Sequence, residues 1–206
     1  MTPEDLASVT ELLGREPQGD CEVVVRTADR RPVVIRNSPH LHDGTPMPTR
    51  YWLVGRSEHD AVSRLEAAGG VRRAERFVPA EDVVAAHDHY ARERDEAVKR
   101  EAADRSGAYR HDPTGGVGGT RTGVKCLHAH LAHLLAGGDD AVGRWVAAEL
   151  DLDLSAYLRA STDGAKGPVA HGDGANGDTA STDGAKRHGH TDVRSIPGSA
   201  PRQRTA

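Results

Sequence analysis

The sequence predicts an α+β fold: a small antiparallel sheet with three to five helices packed on it over residues 1–158, then a disordered, low-complexity C-terminal tail over 159–206. Three observations lead there. Two β-branched runs flank a polar "TADRR" segment in "CEVVVRTADRRPVVIRN", the pattern of a hairpin. Several stretches repeat apolar residues at helical spacing between capping and glycine stop signals. All seven aromatic residues lie between Tyr51 and Tyr157, and the Gly, Ala, Ser, Asp and Pro beyond them bury too little to offset the entropy of ordering the chain.

Taken in order, "TPEDLASVTELLGREP" places Leu6, Val9, Leu12 and Leu13 on one face between a Thr-Pro start and a Gly14 stop, which reads as a short capped helix. The hairpin follows. A proline-rich loop, "SPHLHDGTPMPT", leads into "RYWLVG", a third strand. Ser57 is the expected N-cap of a helix whose face is Ala61, Val62, Leu65 and Ala68, stopped by Gly69 and Gly70. "VRRAERFV" reads as a further short strand, and Pro79 opens a long helix with the stripe Val83, His87, Tyr90, Ala91, Arg94 and Val98. After a glycine-rich loop come a helix over 124–136 and one or two short helices in "DDAVGRWVAAELDLDLSAYL". In the tail, "ASTDGAK" occurs at 160–166 and again at 180–186, a duplication with nothing apolar to stack.

A formal net charge of −4 with 28% charged residues argues against bulk electrostatic binding to nucleic acid or to an anionic membrane. No apolar run approaches the roughly 18 residues of a membrane span, and the start "MTPEDLASVTELLG" is acidic and amphipathic. The expectation is a cytoplasmic protein with no membrane partner, whose Cys21 and Cys126 are free thiols.

The chemistry concentrates in "TGGVGGTRTGVKCLHAHLAHLLAGG". On a helix over 124–136, Val124, Leu127, Leu131, Leu134 and Leu135 share one side. Cys126, His130 and His133 fall within about 60° on the other, with His128 near the edge of the apolar side. Cys and His are zinc ligands, and His42 of "HLHDG" would complete a set with Cys126, His130 and His133, although the spacing matches no familiar zinc pattern. The same residues read equally well as a small buried thiol beside hydrogen-bonded histidines. Cys126, in a first turn beside Lys125, would favour a thiolate, giving a nucleophile with His128 or His130 as its base. The glycines of 115–119 would turn amides toward an anion, with Arg121 and Lys125 adding charge, but the Walker A pattern is absent.

On the long helix His87, Tyr90 and Arg94 point one way, so that face is either half exposed or the wall of a polar pocket; His89 and Arg92 read as solvated. Asp43-Gly44 makes a tight turn that Pro46 and Pro48 stiffen, which reads first as a structural turn and otherwise as a rigid loop holding Asp43 and Thr45 for a ligand.

The segments "DGTPMPTRYWLVG", "RLEAAGGV", "HDHYARERD" and "GGTRTGVKCLHAH" resemble the bacterial domain of unknown function 501 family, familiar from high-GC Gram-positive bacteria, over roughly residues 10 to 150. The resemblance implies interest in Asp43, Gly44, Thr45, Pro46, Pro48, Thr49, Glu66, Lys125, Cys126 and His128, which match its motifs, and it implies no established reaction. Two functional readings follow. One is a polar Cys/His pocket for a small anionic ligand, joining the 40–49 loop, the His87/Tyr90/Arg94 face and residues 115–130, in a metal-dependent (zinc by ligand type) or thiol-dependent enzyme. The other is a non-catalytic binding or regulatory protein linked to cell-envelope or division machinery, favoured by the absence of a complete triad or nucleotide fingerprint.

Overall fold

Thr2 opens helix α1 (Pro3–Leu13): its hydroxyl accepts the Asp5 N–H at 3.2 Å, Pro3 sits at the first helical position, and Gly14 at φ 71° ends the helix. The computed structural model describes residues 1–104, 109 and 111–160, all of them within one compact unit, Met1–Gly164.

Strands β1 (Cys21–Arg26) and β2 (Pro32–Asn37) form the expected antiparallel hairpin, with a register slip between Val23 and Val25. β3 (Tyr51–Leu53) pairs with β2, and β4 (Leu158–Arg159) pairs with β1, giving the order β3-β2-β1-β4. Both faces of this sheet are covered. Val23, Ile35 and Val54 pack with Val9 of α1 on one side, while Val24, Val25, Val33, Val34 and Leu53 join the main core on the other. Two-sided burial explains why the strands are nearly continuous β-branched runs, and the slip lets the adjacent Val24 and Val25 both enter the main core.

Helix α2 (Arg56–Ala67) starts one residue ahead of Ser57, the expected cap. The segment expected to be a further strand is instead helix α3 (Gly70–Phe77). Val71, Ala74 and Val78 recur at helical spacing and meet the core, with Arg72, Arg73, Glu75 and Arg76 turned outward. Gly69, at φ 80°, makes the restart, and a Cβ on Gly70 would lie 2.6 Å from the Leu65 carbonyl oxygen. Helix α4 (Ala80–Asp104) buries Val83, Ala86, His87, Tyr90, Arg94 and Ala97, so its inner stripe is the polar one read from sequence, with Ala86 and Ala97 in place of Ala91 and Val98.

Helices α5 (Leu127–Leu135) and α6 (Ala141–Glu149) complete the fold, making six helices among the described residues where three to five were expected. α5 is not two-sided. All of its residues but His128 are buried, because β3, α2, α4 and α6 surround it. Order also runs past 158: Arg159 pairs with Val25 and its Nε donates to the Leu135 carbonyl at 2.9 Å, and the Ala160 N–H donates to the Val24 carbonyl at 2.9 Å. The remainder of the expected tail, 161–206, lies outside the described residues. Among the described residues no helix is long and apolar enough to cross a membrane.

Candidate functional site

Cys126 is extended at φ −156° and directly precedes the first turn of α5. The orphan amide of Leu127 is taken by Glu66 of α2, whose Oε1 accepts it at 2.6 Å and also lies 3.2 Å from Nδ1 of His128. Cys126 Sγ is 3.7 Å from the same Nδ1. His128 Nε2 faces the His59 carbonyl at 3.2 Å and the Ser63 hydroxyl at 3.1 Å, so its N–H goes to that side and Nδ1 faces the thiol and carboxylate. The Cys126–His128 pairing expected from sequence is thus present, with Glu66 as a third member and donor atoms all within 4.8 Å.

The expected thiolate is not. Burial pushes the Cys126 thiol up, and although the Ala129 and His128 amides work against this, the Glu66 carboxylate reinforces it. The helix N-terminus does favour an anion there, but Glu66 already supplies it. Lys125, expected to assist, is exposed.

Cys126 and His128 stand in the wall of a cleft of about 540 Å³. Leu12 and Leu13 of α1 with Trp52 and Val54 form its apolar side; Arg56, His59 and Asp60 of α2 continue the polar side from Cys126 and His128. The Arg56 guanidinium makes no ion pair among the described residues.

His130 and His133 serve a different centre. Asp140, fully buried at the cap of α6, accepts His130 Nδ1 at 2.9 and 3.0 Å, His133 Nδ1 at 3.0 Å and the Gly143 N–H at 2.8 Å. Burial works against the Asp140 carboxylate, yet the two histidine bonds hold it well below the usual range. Burial likewise opposes charge on His133, but Asp140 and Glu93 outweigh it and push the imidazole up to about 9. His133 Nε2 faces Glu93 Oε2 at 3.5 Å and His89 Nδ1 at 3.4 Å. The zinc set Cys126, His130, His133 and His42 is therefore dispersed. His42 is on the exposed loop beside Asp20, 3.1 Å away, and the buried histidines are committed to Asp140.

The His87/Tyr90/Arg94 face is not a pocket wall either. His87 Nε2 donates to the Gly123 carbonyl at 2.9 Å while Nδ1 accepts the Val117 N–H at 3.1 Å. Tyr90 Oη accepts the Arg50 N–H and donates to the Pro48 carbonyl at 3.2 Å; burial pushes its phenol up. Arg94 donates to the Gly115 carbonyl and to Asp95. All three pin loops. The glycine loop folds on itself, with the Gly116 N–H on the Thr120 carbonyl and the Gly119 N–H on the Gly116 carbonyl, so these two amides and that of Val117, held by His87, are already engaged; Arg121 is exposed. Asp43 caps its own turn, accepting the Thr45 N–H at 2.9 Å, and both residues are exposed.

One pH effect follows from the His87 clamp. Burial lowers the His87 pKa below 6.5, and protonation would remove the lone pair that accepts the Val117 amide. The clamp's stability is fully present above the unfolded value of about 6.5 and is lost as pH falls below it. Amide exchange at Val117, corrected for intrinsic rate, should accelerate as pH falls below about 6.5; constant protection would show that the neutral ring is dispensable.

No curated protein and no solved structure matches the chain. The family described as Protein of unknown function (DUF501) matches residues 23–148, from β1 to the last turn of α6. That region holds the polar side of the cleft and the Asp140 centre, whereas Leu12 and Leu13 lie before it. The chain belongs to the DUF501 family.

Proposed function

We propose that the cleft between α1, β3, α2 and α5 binds a small anionic ligand with an apolar body, and that Glu66, Cys126 and His128 hold a divalent metal ion, zinc by donor type, at its polar wall. The observation that carries this reading is the convergence of those three donors within 4.8 Å, two of which, Cys126 and His128, line the wall that also bears Arg56 and His59 while Glu66 backs them from α2. A thiolate, an imidazole and a carboxylate suit zinc, and three protein ligands leave a fourth position open toward the cleft. An anionic group would enter that position beside Arg56, with its apolar part against Leu12, Leu13 and Trp52.

The protonated resting thiol favours metal-assisted binding over thiol nucleophilicity, because a metal ion supplies the field that deprotonates sulfur where Glu66 opposes it. Zinc titration of the full chain, followed by octanoate as the amphipathic anion, tests this. Cys126→Ser should weaken zinc at the cleft wall at least about tenfold, and Arg56→Ala should weaken octanoate by about tenfold. Unchanged octanoate affinity in both variants would overturn the assignment of the cleft.

A further inference from the structure

We propose a second metal site, independent of the cleft, formed by His89 Nδ1 and the Glu93 carboxylate of α4 with His133 Nε2 of α5, and suited to a divalent first-row ion of the zinc class. His89 and Glu93 stand one turn apart on one helix and His133 reaches them from another, so the donors come from two separate segments.

The geometry has the scale of a coordination shell. His133 Nε2 lies 3.4 Å from His89 Nδ1 and 3.5 Å from Glu93 Oε2, and His89 Nδ1 lies 3.9 Å from Glu93 Oε1. Donors bound at about 2.0–2.1 Å in a tetrahedral shell are separated by about 3.4 Å. Little movement would bring the three around one ion, which enters by displacing to solvent the Nε2 proton that Asp140 and Glu93 favour on His133.

Two further contacts orient these donors. Asp140 Oδ2 holds His133 Nδ1 at 3.0 Å, which aims Nε2 at the other two groups, and Asp140 is itself fixed by His130 and by the Gly143 amide. The carboxylate–histidine pair is the usual outer support of a metal-bound imidazole. Tyr51 Oη donates to Glu93 Oε2 at 3.2 Å, steadying the carboxylate in the same way. His89 and Glu93 side chains are 34% and 30% exposed while His133 is fully buried, so one side of the site is walled by protein and the other admits water as a fourth ligand. With two imidazoles, one carboxylate and no sulfur, the site differs in donor type from the cleft wall.

Cobalt(II) titration of the full chain separates the two sites. A Cys126 site shows sulfur-to-cobalt charge transfer in the near ultraviolet; the nitrogen–oxygen site shows only visible ligand-field bands. The Cys126→Ser chain should still bind one equivalent of cobalt with visible bands alone. Adding His89→Ala or Glu93→Gln, at positions exposed enough to leave folding intact by circular dichroism, should weaken that equivalent at least about tenfold. The proposal is overturned if Cys126→Ser binds no cobalt, or if its cobalt affinity and spectrum survive both added substitutions. Failure of the cleft reading leaves this outcome untouched, because every readout is taken without Cys126.

Discussion

Asp140→Ala is expected to destabilise the domain by about 3–5 kcal/mol, the range for removing one partner of a buried charge pair. The carboxylate is fully buried and accepts from two imidazoles and from the Gly143 amide at the start of α6. Deleting it leaves a buried His133 cation with half of its counter-charge, strands His130 Nδ1, and removes the cap of α6. The His130 loss is compounded because its Nε2 is buried without a hydrogen-bond partner, so the ring would have no polar contact at all. Asp140→Asn, which keeps an oxygen for the Gly143 amide but not the charge, should lose less. Urea unfolding checks both; a midpoint unchanged in the alanine variant would mean that the network adds nothing to stability.

Gly143→Ala is expected to cost about 2 kcal/mol. A Cβ there would lie 2.6 Å from the His130 carbonyl oxygen and 2.7 Å from Leu134 Cβ, atoms of a buried helix rather than the tip of a flexible side chain. α6 would have to move away from α5, at the upper end of the about 1–3 kcal/mol typical of overpacking. Replacing glycine inside a helix returns roughly 0.8–1 kcal/mol of propensity, which offsets part of that cost. The net sign follows because the obstructing atoms include backbone. Denaturant unfolding reads the result, and a variant more stable than the parent would show that the helix interface yields freely.

Local features of the fold were legible in the sequence, and partners across the fold were not. The β-branched runs around "TADRR" and the capped starts at Thr2-Pro3 and Pro79 depend on nearest neighbours, and each is where periodicity puts it. "VRRAERFV" misled because its charged residues hide a stripe of only Val71, Ala74 and Val78, which the core selects and a short window does not reveal. α5 looked amphipathic because histidine counts as polar, yet burial with Asp140 satisfies it. Cys126 and His128 are legible together because they are two residues apart, whereas Glu66, about 60 residues earlier on α2, shares no local pattern with them. His89 and Glu93 went unpaired because their spacing equals that of any solvated helix pair; only His133, from another helix, distinguishes them. The acidic pair before "AVGRWV" was the one unused clue to Asp140, as a helix cap.

The two-residue strand β4 bears on the order in which the molecule can assemble. Its partner β1 finds β2 a few residues later in synthesis, but about 130 residues separate Val25 from Arg159. At translation rates of about 5–20 residues per second, the free edge of β1 waits on the order of ten seconds before residues 158–160 leave the ribosome. During that interval it is an open template for another chain. A nascent chain arrested before residue 158 should therefore hold a folded hairpin yet remain prone to edge-to-edge association, and release of the last strand should shield the Val24–Arg26 part of that edge.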